Sequence, residues 1–247
     1  GWRAETLAGG YRTYRRAVVA TLYDEHGTSG TWGGKMVLLD GNTGTAKTDL
    51  LYRLDALGVQ TLDLEGIAHH RGSLFGGMGT DQPSQKAFES AIAEKWVGFD
   101  LSRPVVVEAE SSKIGKLNLP EVLWTAMRAA PRLRIEADLA ERASYIAETY
   151  FEIADDPSRL KATIEQLKPF LPAERITRWR ELATSGDIVD LARELMEHRY
   201  DPAYARQRGR SKQVELGSLK LDGFSASDLD RAARTIAGII EQASANG

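Results

Sequence analysis

The sequence predicts an α/β fold: a parallel sheet with helices on both faces and an all-α insertion before the last strand. Three observations predict it. Apolar runs alternate with helical spacing from Lys35 to Ile135, as repeated β-α-β units require. The run Pro104-Val105-Val106-Val107-Glu108 is continuous and β-branched, as a parallel strand buried on both faces should be. From Asp138 to about Tyr200 the strand signal is absent, and helical patterns are punctuated by Pro157, Pro169, Pro172 and Gly186.

Taken in order, residues 1–32 read as a prelude. Leu7-Ala8-Gly9-Gly10-Tyr11 looks like a strand end running into a glycine turn, and Arg12 to Tyr23 has helical spacing with a basic face. The Gly/Thr/Ser-rich stretch 28–34 reads as a linker, so a main domain over 33–247 is expected. Its first strand is Met36–Leu39 and its first helix Thr45–Leu57, stopped by Gly58. Gln60–Leu62 is a short second strand. The stretch from Gly66 to Gln82 holds five glycines and no apolar period, which predicts a long mobile loop. Ser84–Val97 is a helix with Phe88, Ala91, Ile92 and Trp96 at helical spacing. After the third strand, Pro120 opens another helix, and Leu133–Ile135 is the fourth strand. An insertion over 138–200 carries helices at Leu139–Ile153, Ser158–Phe170, Ala173–Ser185 and Asp187–Arg199. A strand returns at Gln213–Leu216. The last helix runs from about Ala226 to Gln242 behind a Ser225/Asp228 capping box.

Composition narrows the function classes. The net charge of −3 over 247 residues carries no global nucleic-acid signature, so any RNA surface must be a local patch. Cysteine is absent, which excludes disulfides, a thiolate metal site and cysteine catalysis within this chain. No apolar run approaches the ~20 residues of a membrane helix. A cytoplasmic protein with no membrane partner is expected. The chain begins at Gly1, not Met, and its natural start is expected to lie upstream.

The motif with the clearest chemistry is Gly41-Asn42-Thr43-Gly44-Thr45-Ala46-Lys47-Thr48, between a strand and a helix. That is the setting of a phosphate-binding loop and makes the fold P-loop NTPase-like. Turn amides and the helix N-terminus would face an anion. Lys47 would add a point charge. The Thr48 hydroxyl could hold Mg²⁺ or a phosphate oxygen. Ala46 stands where the pattern has its second glycine, and a Cβ tolerates positive φ poorly.

Other candidates lie at strand ends, where ligands of open α/β sheets collect. Asp63 and Glu65 follow the second strand, and Arg71 and Ser73 sit in the glycine-rich loop beyond. Glu108 and Glu110 end the third strand, where a carboxylate can hold Mg²⁺ or act as a general base; Glu108 and Thr48 are the candidate metal ligands. Arg199, Arg206, Arg208 and Arg210 surround Tyr200 and Tyr204, cations and rings that suit RNA phosphates and unstacked bases. A solvated connector reads equally well there.

Several of these stretches together resemble one family. They are Gly41–Thr48, the run Leu62-Asp63-Leu64-Glu65-Gly66-Ile67-Ala68-His69-His70-Arg71-Gly72-Ser73-Leu74-Phe75-Gly76, the run Val107 to Gly115 with Leu119-Pro120, and Tyr200-Asp201-Pro202-Ala203-Tyr204. Their order and spacing are similar to the P-loop portion of tRNA 2-selenouridine synthases, and Leu7–Arg12 resembles the stretch leaving that family's N-terminal rhodanese domain. The resemblance implies action on wobble 2-thiouridine in the anticodon region of tRNA. It implies geranyl transfer from geranyl diphosphate to sulfur, then replacement by selenium from selenophosphate. It also implies a rhodanese domain, in cis or in trans, to supply the cysteine missing here. On this reading residues 1–32 are a residual rhodanese-like tail plus linker, and the loop's ligand need not be ATP. A small-molecule P-loop kinase or NTPase and a non-catalytic tRNA-binding module are the alternatives.

Overall fold

The computed structural model describes residues 8–23, 31–70, 81–109, 111–149 and 157–245. A five-stranded sheet joins Met36–Gly41 (β1), Gln60–Leu62 (β2), Val105–Glu108 (β3), Arg132–Glu136 (β6) and Glu215–Lys220 (β7). Between β3 and β6 the chain also makes a small antiparallel hairpin, Lys113–Ile114 (β4) with Leu117–Asn118 (β5). The strand order is β2-β3-β1-β6-β7 and every pairing is parallel. β1 is central, and all its residues are buried. Its side chains alternate between the faces. Met36 and Leu38 join Val105 and Val107 on one side, whereas Val37 and Leu39 join Val106, Leu133 and Ile135 on the other.

The first face is covered by Gly10–Leu22 (α1), Gln85–Val97 (α4) and Glu121–Ala129 (α5). Lys47–Ala56 (α2) and Ala226–Ala245 (α11) cover the second. Leu64–Ala68 (α3) is a short helix following β2. The insertion comprises Leu139–Thr149 (α6), Pro157–Glu165 (α7), a 3-10 turn at Lys168–Phe170, Ala173–Ser185 (α8), Ile188–Leu195 (α9), a π-helical turn at Met196–Tyr200 and Asp201–Arg210 (α10). It has its own core around Leu160, Ile164, Trp179, Leu182 and Leu191. Trp179 is fully buried, and its indole N–H donates to Glu194 at 3.0 Å.

The parallel sheet agrees with the sequence reading, and several details correct it. Tyr11 lies within α1, not at a strand end. The glycine-rich stretch begins with a helix, because Asp63 caps α3 by accepting the Gly66 amide at 2.7 Å. The loop after β3 folds into the β4–β5 hairpin. The region read as a connector is helical, so the helices run to Arg210, beyond the expected end of the insertion at 200. The last strand starts at Glu215, later than Gln213, whose side-chain Nε2 donates to the carbonyls of Met127 and Ala130 at 2.7 and 2.8 Å. Ser225 and Asp228 do form the expected cap: the Asp228 amide donates to Ser225 Oγ at 3.2 Å.

α1 packs on α4. Arg15 pairs with Glu89, and Val18 and Leu22 are buried in the same core as β1 and β3. Leu22 is fully buried, so Leu22→Ala should cost about 3 kcal/mol in urea unfolding through lost burial and a residual cavity. An α1 that hangs free of the sheet domain would show no such loss.

Candidate phosphate-binding site

The loop is shaped by close approaches. Gly41 pairs with Ile135 of β6, and a Cβ there would lie 2.5 Å from Thr45 Oγ1 and 2.8 Å from the Ile135 carbonyl oxygen. Gly44 has φ +83°, and a Cβ there would stand 3.0 Å from the Arg142 carbonyl oxygen. Thr45 closes the turn, its amide and hydroxyl donating to the Asn42 carbonyl at 3.3 and 2.8 Å. Ala46 is left-handed, at φ 53° and ψ 30°, and buried. A side-chain-bearing residue therefore holds the backbone shape that glycine holds more cheaply, at a cost of about 1 kcal/mol. α2 starts at Lys47, so its N-terminal amides and dipole lie at the loop. The Lys47 ammonium donates to the carbonyls of Gly41 and Asn42 at 3.0 and 3.4 Å. Thr48 is in the first turn of α2, half-buried.

Two arginines, Arg142 buried and Arg132 half-buried, brace this loop, and neither carries a local sequence signal. Arg142 of α6 donates to the Thr43 carbonyl at 2.9 Å and grips Asp201 of α10 through both carboxylate oxygens at 3.1 and 2.7 Å. Arg132 of β6 donates to Asp40 at 3.0 Å, and Asp40 in turn accepts the Gly41 amide at 2.7 Å. Arg208 of α10 donates to the Asn42 side chain at 2.6 Å. The Tyr204 ring lies 6.0 Å from the Lys47 ammonium and 5.9 Å from the Arg208 guanidinium. Beside the loop, Asn42, Thr45, Arg134, Glu136, Arg142 and Arg208 line a cavity of about 250 Å³.

The RNA candidates therefore divide. Tyr204 and Arg208 meet the loop. Arg206 and Arg210 are exposed, Arg199 is half-buried, and Tyr200 packs on the core of the insertion.

Acidic groups gather around Tyr52 of α2. Glu108 is buried at the end of β3, opposite Leu39 of β1. Asp63 accepts the Tyr52 hydroxyl at 2.9 Å while capping α3. The Tyr52 pKa is pushed up to about 12, first by desolvation and then by Asp63, with Glu108 and Asp49 adding to it. Asp49 itself accepts the Tyr145 hydroxyl at 2.9 Å. Glu65 lies in the first turn of α3. Arg71, Ser73 and Glu110 lie outside the described residues. Among the described residues no group of three or more His, Cys, Asp or Glu side chains could hold a metal ion, and no helix is long and apolar enough to cross a membrane.

Residues 34–171, which include β1, the phosphate loop and the arginine of α6 behind it, match the family described as "tRNA 2-selenouridine synthase AAA domain". The chain belongs to that family. The tRNA 2-selenouridine synthase of Hahella chejuensis is 34% identical over 241 residues, covering 83% of this chain and 61% of that protein. The tRNA 2-selenouridine synthase of Nitrosomonas europaea is 34% identical over 177 residues, covering 70% and 43%. The chain thus spans less than two thirds of the length of these relatives. Among solved structures, TT1252 from Thermus thermophilus overlays with a TM-score of 0.38 at 16% identity, covering 83% of this chain and 97% of that one. Membership in the tRNA 2-selenouridine synthase family agrees with the motifs picked out in the sequence. Asp40, Arg132 and Arg142 were not among them.

Two predictions follow from this geometry. Arg142→Ala strands Asp201 and the Thr43 carbonyl, and should cost about 3 kcal/mol in denaturant unfolding; Arg142→Lys, without the planar fork, should recover only part of it. Burial lowers the His70 pKa from its ordinary 6.5. As pH falls below that value the unfolded chain takes up the proton first, so stability present above it is lost on acidification. His70→Gln should therefore show a smaller fall in Tm between about pH 7.5 and about pH 5.5 than the parent chain.

Proposed function

We propose that this chain is the phosphate-handling, tRNA-binding domain of an enzyme that converts wobble 2-thiouridine to 2-selenouridine through an S-geranyl intermediate. Family membership supports the tRNA-modifying reading. The observation that carries the donor assignment is the phosphate loop itself, built with Ala46 in place of glycine and braced by Arg142 and Arg208. In the first step the thiocarbonyl sulfur would attack C1 of geranyl diphosphate. A carbon–sulfur bond forms, the carbon–oxygen bond breaks, diphosphate leaves with the electron pair, and the base gives up its N3 proton to solvent. Sulfur of this kind is nucleophilic already and needs placement more than activation. The domain's contribution would be to meet the charge growing on the leaving group with loop amides, the α2 N-terminus and Lys47.

The chemistry of two donors supports Mg²⁺ as a cofactor. The Thr48 hydroxyl and the Glu108 carboxylate are hard oxygen ligands, and a magnesium ion bound by one carboxylate fills its remaining positions with phosphate oxygens and water. Bound there, it would neutralise diphosphate charge. The exposed Arg206 and Arg210, with Arg199, would track RNA phosphates. Selenium delivery from selenophosphate would require the rhodanese cysteine, from a domain in cis or trans, because this chain has none.

The test is to incubate the chain with a 2-thiouridine anticodon stem-loop and geranyl diphosphate, then weigh the RNA. A mass gain of one geranyl group is expected. Lys47→Ala should reduce transfer about a hundredfold or more while leaving RNA binding largely intact. RNA that binds the folded chain but gains no mass would reduce the domain to a binding module. ATP turnover driven by a metabolite and indifferent to tRNA would point to a kinase.

A further inference from the structure

Helix α10 places two residues one turn apart, Tyr204 and Arg208, against the phosphate loop. The charge balance there is uneven. Asp40 is 3% exposed, and its oxygens already take Arg132 at 3.0 Å and the Gly41 amide at 2.7 Å. Arg208 Nη1 stands 3.7 Å from the same carboxylate, beyond hydrogen-bond reach, and this buried nitrogen makes no hydrogen bond. Arg208's short contact, from Nη2, is to the neutral Asn42 amide oxygen at 2.6 Å. One carboxylate thus serves two guanidiniums, and the group carries a formal charge of +1 beside the loop. A cation with a saturated counter-ion and a buried idle donor is a poor end state, since such donors normally find a partner. An anion in the loop would supply one, through the charge-assisted, forked contact that arginine makes with phosphate.

We propose that Arg208 is a ligand of the donor's phosphate group, its guanidinium moving from Asp40 and Asn42 onto a diphosphate bound in the loop. This rests on the reading that the loop takes a diphosphate. Tyr204 fits the role. Its ring lies 6.0 Å from the Lys47 ammonium and 5.9 Å from the Arg208 guanidinium, so one π-system faces both cations and eases their convergence on one anion. The Arg142–Asp201 pair holds the start of α10, so the exchange needs only a side-chain movement. Arg208 then differs in kind from Arg206 and Arg210, which remain exposed for RNA.

Inorganic pyrophosphate is the probe, titrated calorimetrically into the parent chain and its variants, with the anticodon stem-loop titrated in parallel. Arg208→Gln should weaken pyrophosphate binding about tenfold or more and leave stem-loop affinity unchanged. Arg208→Lys, which keeps the charge without the fork, should recover part of the loss. The double variant Arg206→Gln/Arg210→Gln should show the opposite pattern. If Arg208→Gln binds pyrophosphate like the parent, or loses stem-loop affinity instead, the proposal is overturned. Should Arg208→Gln fail to fold, Arg208→Lys decides: parental pyrophosphate affinity overturns the proposal, whatever its stem-loop binding. A parent chain that does not bind pyrophosphate overturns the diphosphate reading of the loop as well. Binding that Lys47→Ala removes and Arg208→Gln keeps overturns this assignment alone.

Discussion

The guanidinium of Arg142 is the contact on which the site depends. It is buried and donates to Ala137 at 3.2 Å, Thr43 at 2.9 Å and both oxygens of Asp201 at 3.1 and 2.7 Å. One side chain thus ties the end of β6, the phosphate loop and helix α10 together. A buried ion pair adds little net stability over an apolar replacement, because both ions lose their water. Its value here is geometric. A planar fork accepts few arrangements of its partners, so loop and helix are held in one relation. The close approach of Gly44 to the α6 backbone has the same effect from the other side. The helical insertion is therefore part of the loop's support as well as an addition to the sheet.

Around that support the charges fall into three groups. Arg142 with Asp201, and Arg132 with Asp40, are matched pairs and serve as scaffold. Lys47 and Arg208 gather on the loop itself, with Tyr204 facing both. The acids Asp49, Asp63 and Glu108 lie around Tyr52 of α2. Cations gathered over the loop suit a ligand that carries several negative charges.

Some of this was legible in the sequence for a physical reason. β1 and β3 are buried on both faces, and only continuous apolar runs satisfy that, so their residues announce them. The loop was legible because glycine at 41 and 44 and lysine at 47 each answer a local demand of backbone or charge. The rest was hidden because its causes are remote. Arg142 sits in an ordinary helical stretch, and its partners Thr43 and Asp201 are 99 and 59 residues away. α10 has no buried residues and hence no apolar stripe; polar contacts with the loop hold it, which periodicity cannot detect. Ala46 was visible as a departure from the pattern, and the structure adds that the left-handed backbone persists without the glycine.

The π-helical turn at Met196–Tyr200 has a further consequence. Such a turn amounts to one extra residue spliced into an α-helix, and each residue is worth about 100° of rotation. The side of α10 that meets the loop is thus dialled upstream, before Asp201 is reached. Taking one residue out of that turn would carry Tyr204 and Arg208 about a quarter-circle round the axis without altering either of them. Length between Met196 and Tyr200 is accordingly as much a part of the site's specification as the identity of the residues that touch the loop.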